Sequence, residues 1–148
     1  MSSKKKLSEM ESFFLALSDK TRLRLLNLMR EGEICVCFLV EVLNESQPKI
    51  SRHLAYLRGA GIVEARRDGK WMHYKIAEPK NDFAAQVLRN ILQWLDSQET
   101  MQSEYRKLAD VYCYSGNTIT INRAPKPNIF TKANMNKRQN RELETFLL

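Results

Sequence analysis

Residues 46–61, SQPKISRHLAYLRGAG, constrain the fold more than any other stretch of the chain. Ser46 is a good helix N-cap. Pro48 falls in the first turn, where its missing N–H costs nothing, and Gly59 and Gly61 close the segment, so a helix is predicted to start near Gln47. At about 100° per residue, Ile50, Leu54 and Leu57 share one stripe while Lys49, Arg52 and Tyr56 face the other way. Such a helix has an apolar back to bury and a basic front to present.

The next stretch, IVEARRDGKWMHYKIA, holds Asp68-Gly69 between two β-favouring runs, a strong signal for a two-residue hairpin turn. Upstream, Leu7, Met10, Phe14 and Leu17 recur at helical spacing. After the start signal Ser18-Asp19, Leu23, Leu26 and Met29 do the same. Gly32 stops that second helix, and Leu39, Val42 and Leu43 predict a short third one ended by Asn44. Past Pro79, apolar residues recur from Phe83 through Val87, Ile91, Trp94, Leu95, Met101, Tyr105 and Leu108 to Tyr112. One helix from Asn81 to Val111 would run about 45 Å, more than a small domain can cover, so part of its stripe is expected to meet a second subunit.

The predicted fold class is therefore mainly α with a small β-hairpin: a winged helix-turn-helix with a long C-terminal dimerisation helix. Residues 1–113 form the DNA-binding and dimerisation domain. Residues 114–148 read as a largely irregular tail, with a short strand at 118–121 and a marginal helix at the end.

Position decides what the charge means. The 148 residues carry 24 Lys and Arg against 17 Asp and Glu, a formal charge of +7, which suits a polyanionic partner. The predicted reading elements carry part of that charge. Gln47, Lys49, Ser51, Arg52 and His53 lie near the N-terminal part of the basic helix, where side chains reach base edges, although His53 is equally suited to a bond within the fold. The wing adds Arg66, Arg67, Lys70 and His73 for backbone contacts. Double-stranded operator DNA is the expected partner.

Three cysteines, Cys35, Cys37 and Cys113, in a chain whose N-terminus MSSKKKLSEM lacks an export signal, are expected to be thiols in a cytoplasmic protein, and no apolar run approaches a membrane span. Soft thiolates favour soft ions. Zinc stays open, but structural zinc normally takes four ligands, and the chain offers three cysteines, two histidines and no second cysteine pair. On a regular helix Cys35 and Cys37 would point about 200° apart. Sharing one ion then requires an already irregular segment, or distortion of the first turn of the third helix, which positions the reading helix.

Together LSDKTRLRLLNLM, CVC and SQPKISRHLAYLRGAGIVEARRDGKWMHYKI resemble the ArsR-type metalloregulatory repressors, in particular their arsenic-responsive branch, over about residues 8 to 95. The resemblance implies a homodimeric repressor that leaves its operator when a thiophilic ion binds. It favours As(III) or Sb(III), which bond pyramidally to three thiolates, as inducer, with no organic cofactor. The family pattern often places a third cysteine three residues after the second, and here that position is Val40. The third ligand is then Cys113, a small thiol, hydroxide or none. The zinc or nickel site that some relatives build on the last helix is unsupported, because NDFAAQVLRNILQWLDSQ has no histidine.

Two other functions remain: a winged-helix repressor whose thiols sense oxidants, and a thiol enzyme or metallochaperone in arsenic handling. An i, i+2 disulfide is strained, which counts against the first. EICVCFL has an acidic flank and no arginine to activate a nucleophile, which counts against the second. With no Gly-rich phosphate loop, no His-x-x-x-His helix and only two histidines, the chain is not expected to be an enzyme.

Overall fold

The computed structural model describes residues 2–113 and Pro125, with side chains described for residues 2–111 and Pro125. The tail elements expected beyond residue 114 lie outside the described residues. The order is α1 (Ser3–Leu17), α2 (Lys20–Met29), β1 (Ile34–Cys35), α3 (Val36–Leu43), α4 (Gln47–Gly59), β2 (Val63–Asp68), β3 (Trp71–Ile76), α5 (Asp82–Ser97) and α6 (Glu99–Cys113).

The predicted reading helix forms where its caps place it. Ser46 Oγ accepts the Lys49 N–H at 3.3 Å, and Ile50, Leu54 and Leu57 are fully buried. At the other end Gly61 adopts φ +75°, so that its own N–H reaches Arg58 O at 3.0 Å and the Ile62 N–H reaches Leu57 O at 3.0 Å. This pair of bonds is a Schellman stop, and it needs the left-handed conformation that glycine takes without strain. Asn44, also left-handed at φ +52°, ends α3.

The wing turn is one residue later than the Asp68-Gly69 signal implies. Asp68 pairs with Trp71, so the two loop residues are Gly69 and Lys70, with Gly69 at φ +58°. Glycine at the first central position is the signature of a type II′ turn. A third strand joins the hairpin: β1 pairs with β3, giving the order β1-β3-β2 with Ile34 opposite Tyr74 and Cys35 opposite His73.

The C-terminal helix is not one rod. Gln98 is extended (φ −86°, ψ 129°) and breaks the segment into α5 and α6. The break lets α6 fold back so that Tyr105 and Leu108 enter the core. Polar contacts hold it there. The Asn27 Nδ2 group donates to Met101 O at 2.9 Å, Arg24 binds both Glu104 oxygens at 3.0 Å, and the Arg30 guanidinium lies 4.2 Å from the Tyr105 ring centre. A span of about 45 Å is therefore not made.

The expected stripe on α1 also differs. Phe13, Ala16 and Leu17 are the buried residues, while Leu7 and Phe14 are exposed. On α2 the buried run is Leu25 to Met29, and Leu23 is only half-buried.

Candidate nucleic-acid interface and thiol pair

On α4, Gln47 and Arg52 are exposed and Lys49 and Ser51 partly so; Lys49 and Arg52 face away from the buried stripe, whereas Gln47 and Ser51 flank it. Lys49, in the first turn of α4, makes a 2.9 Å ion pair with Glu45, which precedes the Ser46 N-cap. Ion pairs near the surface contribute little, because solvent screens them and holding two long side chains in one geometry costs entropy.

His53 faces inward. Its Nδ1 lies 3.3 Å from Arg22 Nη1 and 3.8 Å from the Asp19 carboxylate. Arg22 gathers several elements at this point: its Nε and Nη2 groups donate to the carbonyls of Ala16 and Leu15, and its guanidinium lies 4.2 Å from the Tyr56 ring centre. The end of α1, the start of α2 and the reading helix are thereby fixed to one another. Asp19 is the N-cap of α2, accepting the Arg22 N–H at 3.0 Å. Burial acts to raise its pKa, but the Arg22 N–H, the Arg22 charge and His53 outweigh it and hold the carboxyl below its ordinary value. Neither Asp19 nor Arg22 was expected at the interface, and the only sequence signal for them is the helix start in LSDKTRL.

On the wing, Arg67 and Lys70 are exposed, and Lys70 lies over the Trp71 ring. Arg66 is exposed but engaged, with Nη2 and Nε 2.6–3.2 Å from the Glu33 carboxylate. That bond is the main reason Glu33 is held below the usual carboxylate range. His73 corrects the expectation of a backbone contact. It is only 4% exposed, because β1 covers its side of β3. Its Nδ1 lies 3.9 Å from Glu33 and its Nε2 3.7 Å from Asp68, and Nε2 has no hydrogen-bond partner among the described residues.

Cys35 and Cys37 are both free thiols. Cys35 is not in the helix. It ends β1 and caps α3 in an extended conformation (φ −68°, ψ 139°), while Cys37 occupies the first turn of α3. The divergence of about 200° expected on a regular helix is absent, and the two sulfurs lie 3.3 Å apart with Cys37 donating to Cys35. That hydrogen bond lowers the Cys35 thiol to about 7, against the opposing effect of its burial. The same contact, with burial, pushes Cys37 up. Among the described residues no group of three or more His, Cys, Asp or Glu side chains is arranged around a metal ion, so the described part of the site is a dithiol. The Cys113 side chain lies outside the described set. Val40, one turn beyond Cys37, is half-buried against the core.

The comparisons decide the family. Residues 19–65 match the family described as "Bacterial regulatory protein, arsR family". The chain is 43% identical over 109 residues to the arsenical resistance operon repressor of Escherichia coli (strain K12), covering 73% of this chain and 91% of that protein. It belongs to the ArsR family. This ArsR-family chain is a DNA-binding transcriptional repressor and not an enzyme, and its α2, α3, α4 and wing form the winged helix-turn-helix.

Two solved structures share the ArsR fold. The AntR antimony-specific transcriptional repressor is similar at 29% identity and TM-score 0.51, over 67% of this chain and 86% of that one. The homodimeric winged helix-turn-helix domain of Mb0332 from Mycobacterium bovis is similar at 26% identity and TM-score 0.53, over 67% and 94%. No helix among the described residues is long and apolar enough to cross a membrane.

Proposed function

We propose that the chain is a homodimeric repressor that releases its operator when As(III) or Sb(III) bonds to Cys35 and Cys37. The observation that carries this is the pair of thiols 3.3 Å apart at the β1–α3 junction. With sulfur–ion bonds of about 2.3 Å, two sulfurs lie about 3.8 Å apart across a tetrahedral angle and about 3.3 Å apart across a right angle. The narrower angle is that of a pyramidal trivalent ion. The names of two similar proteins, the arsenical resistance operon repressor and the antimony-specific repressor, favour the same ligands.

Gln47, Lys49, Ser51 and Arg52 read the major groove, with His53 and Arg22 holding the helix at its angle. Arg67 and Lys70 bind phosphates from the wing, and Arg66 is available there when it leaves Glu33. Cys113, on the helix that packs against α3, is the candidate third thiolate. A duplex selected by the protein from a random pool supplies the probe. Micromolar arsenite should dissociate its complex with the wild type and leave the Cys35→Ser complex intact. Equal behaviour of the two proteins refutes the assignment. X-ray absorption of the arsenite-loaded wild type beside Cys113→Ser counts the sulfurs directly: a fall from three to two identifies Cys113, and two in both excludes it.

The close sulfur contact and the lowered Cys35 thiol also favour a second reading, release of DNA by oxidation. Peroxide-induced release, reversed by dithiothreitol in metalloid-free buffer, would select it.

A further inference from the structure

The thiols are already adjacent, so an ion need not unwind α3 to bridge them, and its effect on DNA binding requires another route. The sheet supplies one. Cys35 on β1 is opposite His73 on β3, and His73 is opposite Arg66 on β2. The three residues form one rung across the sheet, and directly opposed side chains on a rung share a face with their Cβ atoms about 4.5–5.5 Å apart. Glu33, two residues before Cys35, closes the connection from the other side: it grips the Arg66 guanidinium through both carboxylate oxygens and lies 3.9 Å from the His73 ring. The buried imidazole is wedged between Glu33 and Asp68, the last wing residue before the turn.

We propose that Glu33 is a positioning residue that competes with a DNA phosphate for Arg66, and that occupation of the thiol pair biases this competition toward Glu33. The inference rests on the proposed ion binding at Cys35 and Cys37. An ion bridging the two sulfurs ties the end of β1 to the first turn of α3, which stiffens the strand edge that follows Glu33 and holds the Glu33 carboxylate at the wing. With the thiols empty, β1 is held to β3 by only two residue pairs, and Glu33 gives way when a phosphate approaches Arg66. Because Arg66 is solvent-exposed, the exchange is of modest size, about two- to fivefold in affinity.

A double-mutant cycle measured by fluorescence anisotropy on the selected duplex tests this. Without arsenite, Glu33→Gln should bind two- to fivefold tighter, Arg66→Gln should bind more weakly, and the double variant should match Arg66→Gln alone. Removing any carboxylate near DNA reduces repulsion, so a Glu33→Gln gain that persists undiminished in the Arg66→Gln background overturns the proposal. With arsenite, the loss of affinity should be two- to fivefold smaller in Glu33→Gln than in the wild type, and an equal loss also overturns it. Arg66→Lys provides a check that leaves Glu33 in place. It keeps the charge but not the bidentate grip, so the arsenite-induced loss should shrink while the salt slope of DNA binding is kept, and an unchanged loss counts against the competition. A wild type indifferent to arsenite would refute the proposed inducer, while the arsenite-free cycle would still decide whether Glu33 and phosphate compete for Arg66.

Discussion

Val40 determines how many sulfurs this chain offers an ion from α3. Cys37 and Val40 are three residues apart on that helix, hence neighbours on one face with Cβ atoms about 5–6 Å apart. A thiol at position 40 would be the third donor for a pyramidal ion held by Cys35 and Cys37. Val40→Cys is expected to raise arsenite affinity on the order of a hundredfold, the lower end of the gain from tethering an additional binding group. Titration calorimetry with and without a competing small thiol would measure it, and an unchanged affinity would show that the third coordination position points elsewhere. The dithiol was legible in the sequence as a spacing but not as a geometry. Cys-x-Cys on a helix diverges, and the sulfurs converge only because Cys35 is the last residue of a strand. That strand is two residues long, too short for any alternation to be read, and it exists because β3 offers it a free edge. The burial of His73 has the same cause.

Helix ends explain which elements could be foreseen. The reading helix was, since Ser46 and Gly61 bond within three or four residues of themselves and Pro48 acts through its own fixed φ. The break at Gln98 was not, because no glycine or proline marks it. Its cause lies far away in sequence, in Asn27, Arg24 and the core positions filled by Tyr105 and Leu108. Asp19 belongs with the local signals, and its cap can be tested. Asp19→Ala should cost about 1 kcal/mol, within the range for lost N-caps, and should loosen the Arg22–His53 contact that seats α4. The sign of its pH dependence follows from the lowered pKa. A depressed carboxylate contributes in full above its ordinary value of 3.8, and the contribution fades as pH falls through the lower folded value. Urea unfolding should therefore show a gap between wild type and Asp19→Ala that is constant from pH 7 to about 5 and narrows under stronger acid. A gap that widens on acidification would contradict the charged cap.

At the scale of the molecule, the unexplained surface is apolar. On α5 the buried face holds Ala84, Ala85, Leu88 and Leu95, yet Phe83 and Trp94 are more than half exposed, on a second stripe with Val87 and Ile91. On α1, Leu7 is 73% exposed and Phe14 45%, beside the half-buried Met10. These residues lie on the two stripes that the sequence periodicity picked out, so the spacing marked apolar faces without indicating which face the chain itself would cover. A second copy is the occupant that the proposed function requires, because two reading helices spaced by one turn of DNA are what a two-fold operator recognises. A charge placed in such an interface is desolvated without a partner and destabilises association by several kcal/mol. Trp94→Glu is therefore expected to give a monomer in sedimentation experiments at micromolar protein, with the far-ultraviolet circular dichroism retained because the side chain is not part of the subunit's own core. The monomer should bind the selected duplex at least tenfold more weakly and with about half the wild-type salt slope, since each subunit contributes its own set of phosphate contacts. A Trp94→Glu protein that sediments as a dimer would move the subunit interface away from α5, and one that is monomeric yet grips the duplex with the full salt slope would remove the need for two-fold reading altogether.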